Sequence, residues 1–425
     1  MDTPVIEIRI WDQRIGAVAP DPKAGCNAFE YDPAWRRQGI ELAPLTMPTD
    51  AAEAVFLFPD LPRHSFHGLP GLLADALPDA FGNALIDAWM ARHGVAASAV
   101  TALDRLAYMG KRGMGALEFR PARGSHHESA EPLQMKSLVE AARSVIQGDL
   151  SDDAHAQAAL ANIIRVGTSA GGARAKAVVA WNPDTDELRS GQFDVAAGFE
   201  HWLLKFDGIG KDSELGAGAD YGRIEYAYHR MARAAGIAMA PCRLLEENGR
   251  AHFMTRRFDR DGNRKHHVQS LCAMQHLDYN QRGTHAYEQL FLVAGQLELG
   301  DDAHTEIFRR MAFNVAAANC DDHSKNHAFL ADRTGAWSLS PAYDVTHAHN
   351  PASPWTARHL MAVNGRFEDI RRADLMAVAD DFEVPGARTA LADVRAAIDS
   401  WPEFAAAAGL GAASADRVAG DFVAV

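Results

Sequence analysis

The feature that most limits this fold is a polar loop set directly behind an apolar helical run. Within and just before "RRMAFNVAAANCDDHSKNHAFL" (309–330), Ile307, Phe308, Met311 and Val315 fall at helical spacing. That pattern predicts a helix over 305–318. "HAFLADRTGAWSLSPAYDV" (327–345) reads as a strand, a glycine turn and a second strand. The loop between helix and hairpin therefore holds Asp321, Asp322, His323, Ser324, Lys325 and Asn326. A further acid, Asp344, follows Pro341-Ala342-Tyr343 on the far side of the hairpin. Asx-type turns in a solvated loop would use the same residue types. His323 and His327 are spaced i,i+4, but they straddle a loop–strand junction rather than sharing a helix face, which argues against a zinc pair.

Phosphoryl transfer accounts for the whole group. It needs a base aligned with the γ-phosphate and oxygen ligands for a metal that neutralises its charge. The spacing Asp321-x-x-x-x-Asn326 is that of protein kinases, whose Asp takes the substrate hydroxyl proton and whose Asn holds Mg2+. They place a second Mg2+-binding Asp after a short hairpin, where Asp344 stands. A kinase also needs a phosphate-cradling loop and a lysine. "TSAGGARAK" (168–176) precedes the strand "AVVAW"; Gly171 and Gly172 permit close backbone approach, and Arg174 and Lys176 add positive charge. The segment matches neither common phosphate-loop pattern, so taken by itself a plain turn explains it too. Lys205 lies inside the apolar run "HWLLKF" (201–206), where a buried lysine needs an anionic partner. An ATP phosphate together with Glu225 of the next helix would serve; a strand end pointing outward is the other reading. These parts follow one another in the order found in a protein kinase, and that co-linearity says more than any part alone.

The rest of the chain reads as scaffold. Ile6, Ile8 and Ile10 alternate with Glu7 and Arg9, so an N-terminal hairpin is expected. A helix ending at Gly94, a short strand closing 107–119, and a polar linker followed by a helix at 128–149 come next. Strands are expected at 201–208 and 252–263, an amphipathic helix at 223–237, and mostly helix from about 264 apart from one β interruption at 327–344. A length of 425 residues allows two or three domains. A net charge of −14 argues against a chain built to hold nucleic acid by its phosphates, and fits a protein partner better. Cys26, Cys242, Cys272 and Cys320 form no C-x-x-C pair and read as free thiols of a reducing compartment. With no basic and apolar leader and no membrane-length apolar run, a cytoplasmic protein is expected.

"VGTSAGGARAKAVV" (166–179), "HWLLKF", "MTRRFDRDG" (254–262), "NCDDHSKNHAFL" (319–330) and "LSPAYDV" (339–345) together resemble the HipA family of bacterial serine/threonine kinases, toxins of type II toxin–antitoxin systems. "FHGLPGLLADALPDAFGNALI" (66–86) and "YMGKRGMGALEF" (108–119) look like that family's N-terminal subdomain, and the resemblance spans about residues 5–380. It implies an α+β, protein-kinase-like two-lobed fold with a β-rich N-terminal subdomain and an all-α C-terminal lobe. The implied divisions are 1–120 for that subdomain, 121–150 for a linker and helix, 151–262 for the nucleotide-binding β-rich part, and 263–425 for the helical lobe. It implies Asp321 as catalytic base, and Asn326 and Asp344 as Mg2+ ligands. Lys205 would contact the α/β-phosphates of ATP, and the backbone of Gly171, Gly172, Ala173, Arg174, Ala175 and Lys176 would cover them. Arg256, Arg257 and Phe258 would form the hinge against adenine. His323, Ser324, Lys325 and Tyr343 would line the nucleotide side. Ser169 matches the loop serine whose autophosphorylation silences family members, with Thr168 a second candidate. The implied partners are a protein substrate such as an aminoacyl-tRNA synthetase and a small DNA-binding antitoxin, with DNA reached only through it and no membrane. A pseudokinase acting as a binding module, and a metal-dependent hydrolase built on Asp321, Asp322 and His323, are the rival readings.

Overall fold

The isoleucines that alternate at the N-terminus form the buried face of a sheet: Ile6, Ile8 and Ile10 are all fully buried in β1 (Ile6–Ile10). With β2 (Gln13–Asp21), β3 (Cys26–Tyr31), β4 (Val55–Phe56) and β5 (Leu117–Arg120), β1 makes an antiparallel sheet in the order β4-β3-β2-β1-β5. The β1–β2 turn, Trp11-Asp12, has positive φ at both residues, the sign a tight two-residue hairpin requires. Helices Ala80–Arg92 and Ala102–Met109 follow, the second opened by a capping box between Thr101 and Asp104. The computed structural model describes residues 5–122, 175–208 and 220–425, together with Leu133, Leu138, Val139 and Ala142. The expected linker and helix at 128–149 fall largely outside the described residues.

The chain forms two compact units that interleave in sequence: Met1–Gly210, Arg256–Asp278 and Leu330–Ala336 make one, and Lys211–Thr255, Tyr279–Phe329 and Trp337–Val425 the other. In the first unit, β6 (Lys176–Trp181) pairs antiparallel with both β7 (Leu188–Ser190) and β8 (Glu200–Lys205). The segment Arg256–Asp278 returns to this unit through specific polar ties. The indole of Trp11 donates to the Lys265 carbonyl at 2.8 Å, and Lys265 Nζ reaches Glu118 at 2.9 Å. Ser270 N and Oγ both donate to the carboxylate of Asp75, at 2.7 and 2.8 Å. The stretch after 264 is β-structured first: Arg264–Lys265 pairs with Arg260–Asp261, and strand His267–Ser270 follows ahead of the short helix Leu271–Gln275, where mostly helix was expected.

The second unit is mainly helical. Helices Tyr221–Ala234, Tyr287–Gln296, Gly300–Ala316, Arg372–Asp381, Ala387–Asp399, Trp401–Ala407 and Ala412–Ala419 belong to it, as does the hairpin of β9 (Cys242–Glu247) and β10 (Arg250–Arg256) as far as Thr255. Tyr228 is the hub of its core, with ring centroids 6.2 Å from Phe313, 5.5 Å from Trp401 and 6.4 Å from Phe422. The helical region is not all-α: His285–Ala286 pairs in parallel with Met361–Ala362, and strands Ala328–Ala331 and Trp337–Leu339 form the expected hairpin. No helix among the described residues is long and apolar enough to cross a membrane.

Candidate active site

The helix Gly300–Ala316 starts earlier than the expected 305–318 and ends two residues sooner, with Asp301 and Asp302 in the first turn where the helix dipole favours acids. Past its end, Ala318 takes a positive φ of 52° and the chain enters the polar loop. Two backbone bonds then fasten the loop to the stretch after Asp344. Cys320 N donates to the Ala348 carbonyl at 3.1 Å, and Ala348 N to the Ala318 carbonyl at 3.2 Å. A third tie comes from Tyr343, whose hydroxyl donates to the Lys325 carbonyl at 2.7 Å. Buried Arg310, paired with Glu306, holds the carbonyl of Ser340 at 2.7 Å and so anchors the segment leading to Asp344. The structure therefore brings Asp321, Asn326, Tyr343 and Asp344 into one locality within the second unit. Asp344 itself has φ +53°, in the left-handed region that aspartate enters more readily than most residues.

Inside the loop, Asn326 Nδ2 donates to the carbonyl of Asp321 at 2.8 Å. That bond settles the amide's orientation and turns Oδ1, a hard oxygen ligand, away from the backbone. The Asp321 side chain is 46% exposed and its Oδ1 lies 3.7 Å from His323 Nε2. Tyr279 supports both neighbours: its ring lies 5.6 Å from that of His323 and 5.1 Å beneath the ammonium of Lys325. Ser324 is wholly buried in the turn Ser324–Asn326, which gives it a part in the loop's shape rather than on an open ligand face.

Asp322 points the other way and is buried. Its Oδ1 accepts from Leu360 N at 2.7 Å, and its Oδ2 accepts from the Tyr287 hydroxyl and from His359 Nδ1, both at 2.9 Å. Asn314 donates to Tyr287 and Asn319 donates to Asn314, each at 2.9 Å, so a polar network runs beneath the loop. Burial opposes a charge on His359, but the adjacent Asp322 carboxylate outweighs it and raises the imidazole to about 10. His327 goes the other way: burial and the nearby Arg310 bring it down to about 3, so it stays neutral. With its carboxylate fully engaged, Asp322 cannot serve the hydrolase reading. Among the described residues no cluster of three or more His, Cys, Asp and Glu is arranged to hold a metal.

The lysines expected at the phosphates, Lys176 and Lys205, lie in the first unit. Lys176 and Lys205 face each other as direct partners of the β6–β8 ladder, and both are buried. Two ammonium groups so placed repel unless anions are near. Lys176 Nζ has Asp79 Oδ2 at 3.9 Å. Ala175 is buried, and its carbonyl accepts from Phe206 N at 3.0 Å. Ser169, Thr168, Gly171, Gly172, Ala173 and Arg174 lie outside the described residues. Glu225 is buried on helix Tyr221–Ala234 of the second unit.

The stretch expected as hinge divides. Arg256 is exposed and lies 3.4 Å from Glu200, and Phe258 is half-buried. Arg257 is buried, with Nε and Nη2 on the two carboxylate oxygens of Asp259 at 2.9 and 2.7 Å. Burial alone would raise Asp259, yet Arg257 and Arg260 hold it well below the usual carboxylate range. The Arg257 side chain thus serves the interior of the first unit. Tyr279, Tyr287 and His359 carry no sequence signal of a site role, because each stands alone in its segment and gains a partner only through folding.

The C-terminal part of the chain, residues 168–407, matches the family model of the HipA-like C-terminal domain, and residues 6–120 match that of the HipA N-terminal domain. No curated protein matches the chain. Among solved structures, a chain of the Shewanella oneidensis MR-1 toxin–antitoxin complex of HipA, HipB and operator DNA has a TM-score of 0.68 at 17% identity, covering 98% of this chain and 94% of that one. That likeness is one of fold: α+β, with a sheet-rich N-terminal region and a helical C-terminal region. The Helicobacter pylori proinflammatory kinase CtkA gives a TM-score of 0.34 at 9% identity, covering 52% of this chain and 88% of that one, too low to carry an argument.

Proposed function

The chain belongs to the HipA family, and on that premise we propose that it is an ATP- and Mg2+-dependent protein serine/threonine kinase of the toxin type. One observation carries the reading: the Asn326 amide is clamped on the Asp321 carbonyl while Tyr343, next to Asp344, is clamped on the Lys325 carbonyl. Base and metal-ligand candidates from two distant loops thereby share one rigid frame. Bound Mg·ATP supplies the phosphoryl group and the neutralising charge. Asp321 accepts the proton of the substrate hydroxyl, and its partial exposure leaves it reachable by a protein substrate. Asn326 Oδ1 and Asp344 would hold Mg2+. Lys205 and Lys176, paired across the β6–β8 ladder, would contact the phosphates of the nucleotide. His323 and Lys325 line the phosphate side, and the hinge role rests on the backbone of Arg256–Phe258, since the Arg257 side chain is committed to Asp259.

The substrate we propose is a translation protein such as an aminoacyl-tRNA synthetase, with action in the cytoplasm and control by a small DNA-binding antitoxin. The antitoxin is supported by the HipA–HipB–DNA assembly whose chain shares this fold. We also propose that Ser169 is autophosphorylated, with Thr168 the alternative. A phosphate there adds about −1.5 to −2 charges on the loop meant to cover ATP, which would repel the γ-phosphate and release the loop. Mass spectrometry of the 166–176 peptide after incubation with ATP tests it: an unmodified peptide from active enzyme ends the idea.

The deciding experiment incubates the full chain with labelled ATP and cell extract beside Asp321→Ala. Transfer to protein by the wild type and none by Asp321→Ala is expected. ATP binding without turnover by the wild type would make it a pseudokinase.

A further inference from the structure

A cavity of about 390 Å3 opens in the second unit, with Asn280, Arg282, Gly283, Arg358, His359 and Leu360 among its lining residues. That volume lies within the ~300–1,000 Å3 of ordinary ligand sites. Both walls are tied to the loop that carries Asp321. On one wall, His359 Nδ1 and Leu360 N bind the carboxylate of Asp322, the residue next to Asp321. On the other, Asn280 follows Tyr279, whose ring supports His323 and Lys325.

The cavity is cationic. Arg282 is held by its bond to the Pro354 carbonyl at 2.7 Å and lies over the Trp355 ring at 5.4 Å. Arg358 lies 5.6 Å from the Phe367 ring, and a Cβ at Gly283 would stand only 3.5 Å from its Nη2. Both arginines are exposed, and among the described residues neither enters a salt bridge. Among the described residues no carboxylate lines the cavity. In a chain of net charge −14, this is a local inversion of sign. Guanidinium forks match carboxylate and phosphate oxygens, and aromatic support limits the entropy lost on binding.

We propose that this cavity is a substrate subsite that takes an anionic group, a carboxylate or a phosphate, carried by the protein substrate close in sequence to the hydroxyl presented to Asp321, with Arg282 and Arg358 as its specificity-determining residues. The proposal rests on the kinase reading of the same site. A protein ligand is favoured over a polyanion such as RNA because the chain's overall charge repels the latter.

The test is the affinity of the full chain, without ATP, for fluorescent serine peptides flanked by Glu, by Gln or by phosphoserine. The anionic peptides should bind about tenfold more tightly than the Gln peptide, and whichever of the two binds better identifies the source of the charge. Arg358→Ala and Arg282→Lys should each narrow that gap, and Arg358→Glu should reverse it toward a Lys-flanked peptide. Arg282 also anchors Pro354, so the Arg358 variants decide the matter if Arg282 variants misfold. Equal affinity of all peptides for the wild type, or a gap that survives the folded double alanine variant, overturns the proposal. Displacement of the acidic peptide from this cavity by ATP or by a short oligonucleotide overturns it too. The binding readout uses no phosphate transfer. Acidic-peptide preference without transfer therefore removes the kinase reading alone, and transfer without any peptide preference removes the subsite alone.

Discussion

At the scale of single residues, the loop works because two adjacent aspartates have opposite environments. Asp321 is half-exposed and faces solvent; Asp322 is buried and fixes the loop through His359, Tyr287 and Leu360. The His359–Asp322 pair makes stability depend on pH. His359 rises from 6.5 to about 10 in the folded chain, so it binds its proton more tightly there than when unfolded. Its contribution is full below 6.5 and is lost as pH climbs toward 10. Of the groups facing it, Tyr287 is held protonated by burial and Asp322 and adds loss of the same sign only above its ordinary 10.0. Cys320 Sγ, 4.0 Å from His359 Nε2, completes that surrounding. Urea unfolding between pH 6 and 10 should show the decline, and His359→Gln should flatten it while costing about 3 kcal/mol at neutral pH. A wild-type curve flat over that range would contradict the pairing. Asn326→Ala and Asp344→Ala should instead raise the Mg2+ concentration needed for half-maximal transfer. An unchanged Mg2+ requirement in both would place the metal elsewhere.

At the scale of elements, two glycines separate backbone strain from packing. Gly249 closes the β9–β10 hairpin with φ +77°, next to Asn248 at φ +47°, and nothing lies within 4 Å of where a Cβ would stand. Gly249→Ala should therefore cost about 1 kcal/mol, from backbone conformation alone. Gly222, in the first turn of helix Tyr221–Ala234, has ordinary φ, but a Cβ there would lie 1.9 Å from the Ala251 carbonyl. Gly222→Ala must push the helix off strand β10 and should cost about 3 kcal/mol. Comparable losses by thermal unfolding of the two variants would refute this ordering. The helix Gly300–Ala316 was readable from its apolar spacing because burial and periodicity agree along it. The strand His267–Ser270 was not, because its sheet neighbour lies far away in the chain.

At the scale of the whole molecule, the first unit is incomplete without a segment more than a hundred residues downstream of its N-terminal sheet. Arg256–Asp278 supplies the Lys265 carbonyl to Trp11, the Asp259 carboxylate to Gly115 N and the Ser270 donors to Asp75. A fragment of residues 1–122 should accordingly lose the near-ultraviolet signature of its packed tryptophans Trp11 and Trp35, whose rings lie 6.4 Å apart. Joining 256–278 to that fragment through a flexible linker should restore it. A native-like spectrum from 1–122 alone would show that the ties are dispensable.

The local sequence determined the helices, the N-terminal hairpin and the spacing of Asp321, Asn326 and Asp344, because periodicity and short loops act over neighbouring residues. That spacing singled out Asp321 as the candidate base, but it did not say what Asp322 would do. Tertiary structure alone decided that Asp322 turns inward to His359 and that Lys176 stands opposite Lys205. It alone gathered Arg282 and Arg358 around one cavity. Each of these depends on which distant segments meet, and that choice is made by burial of the shared core rather than by any residue's neighbours in the chain.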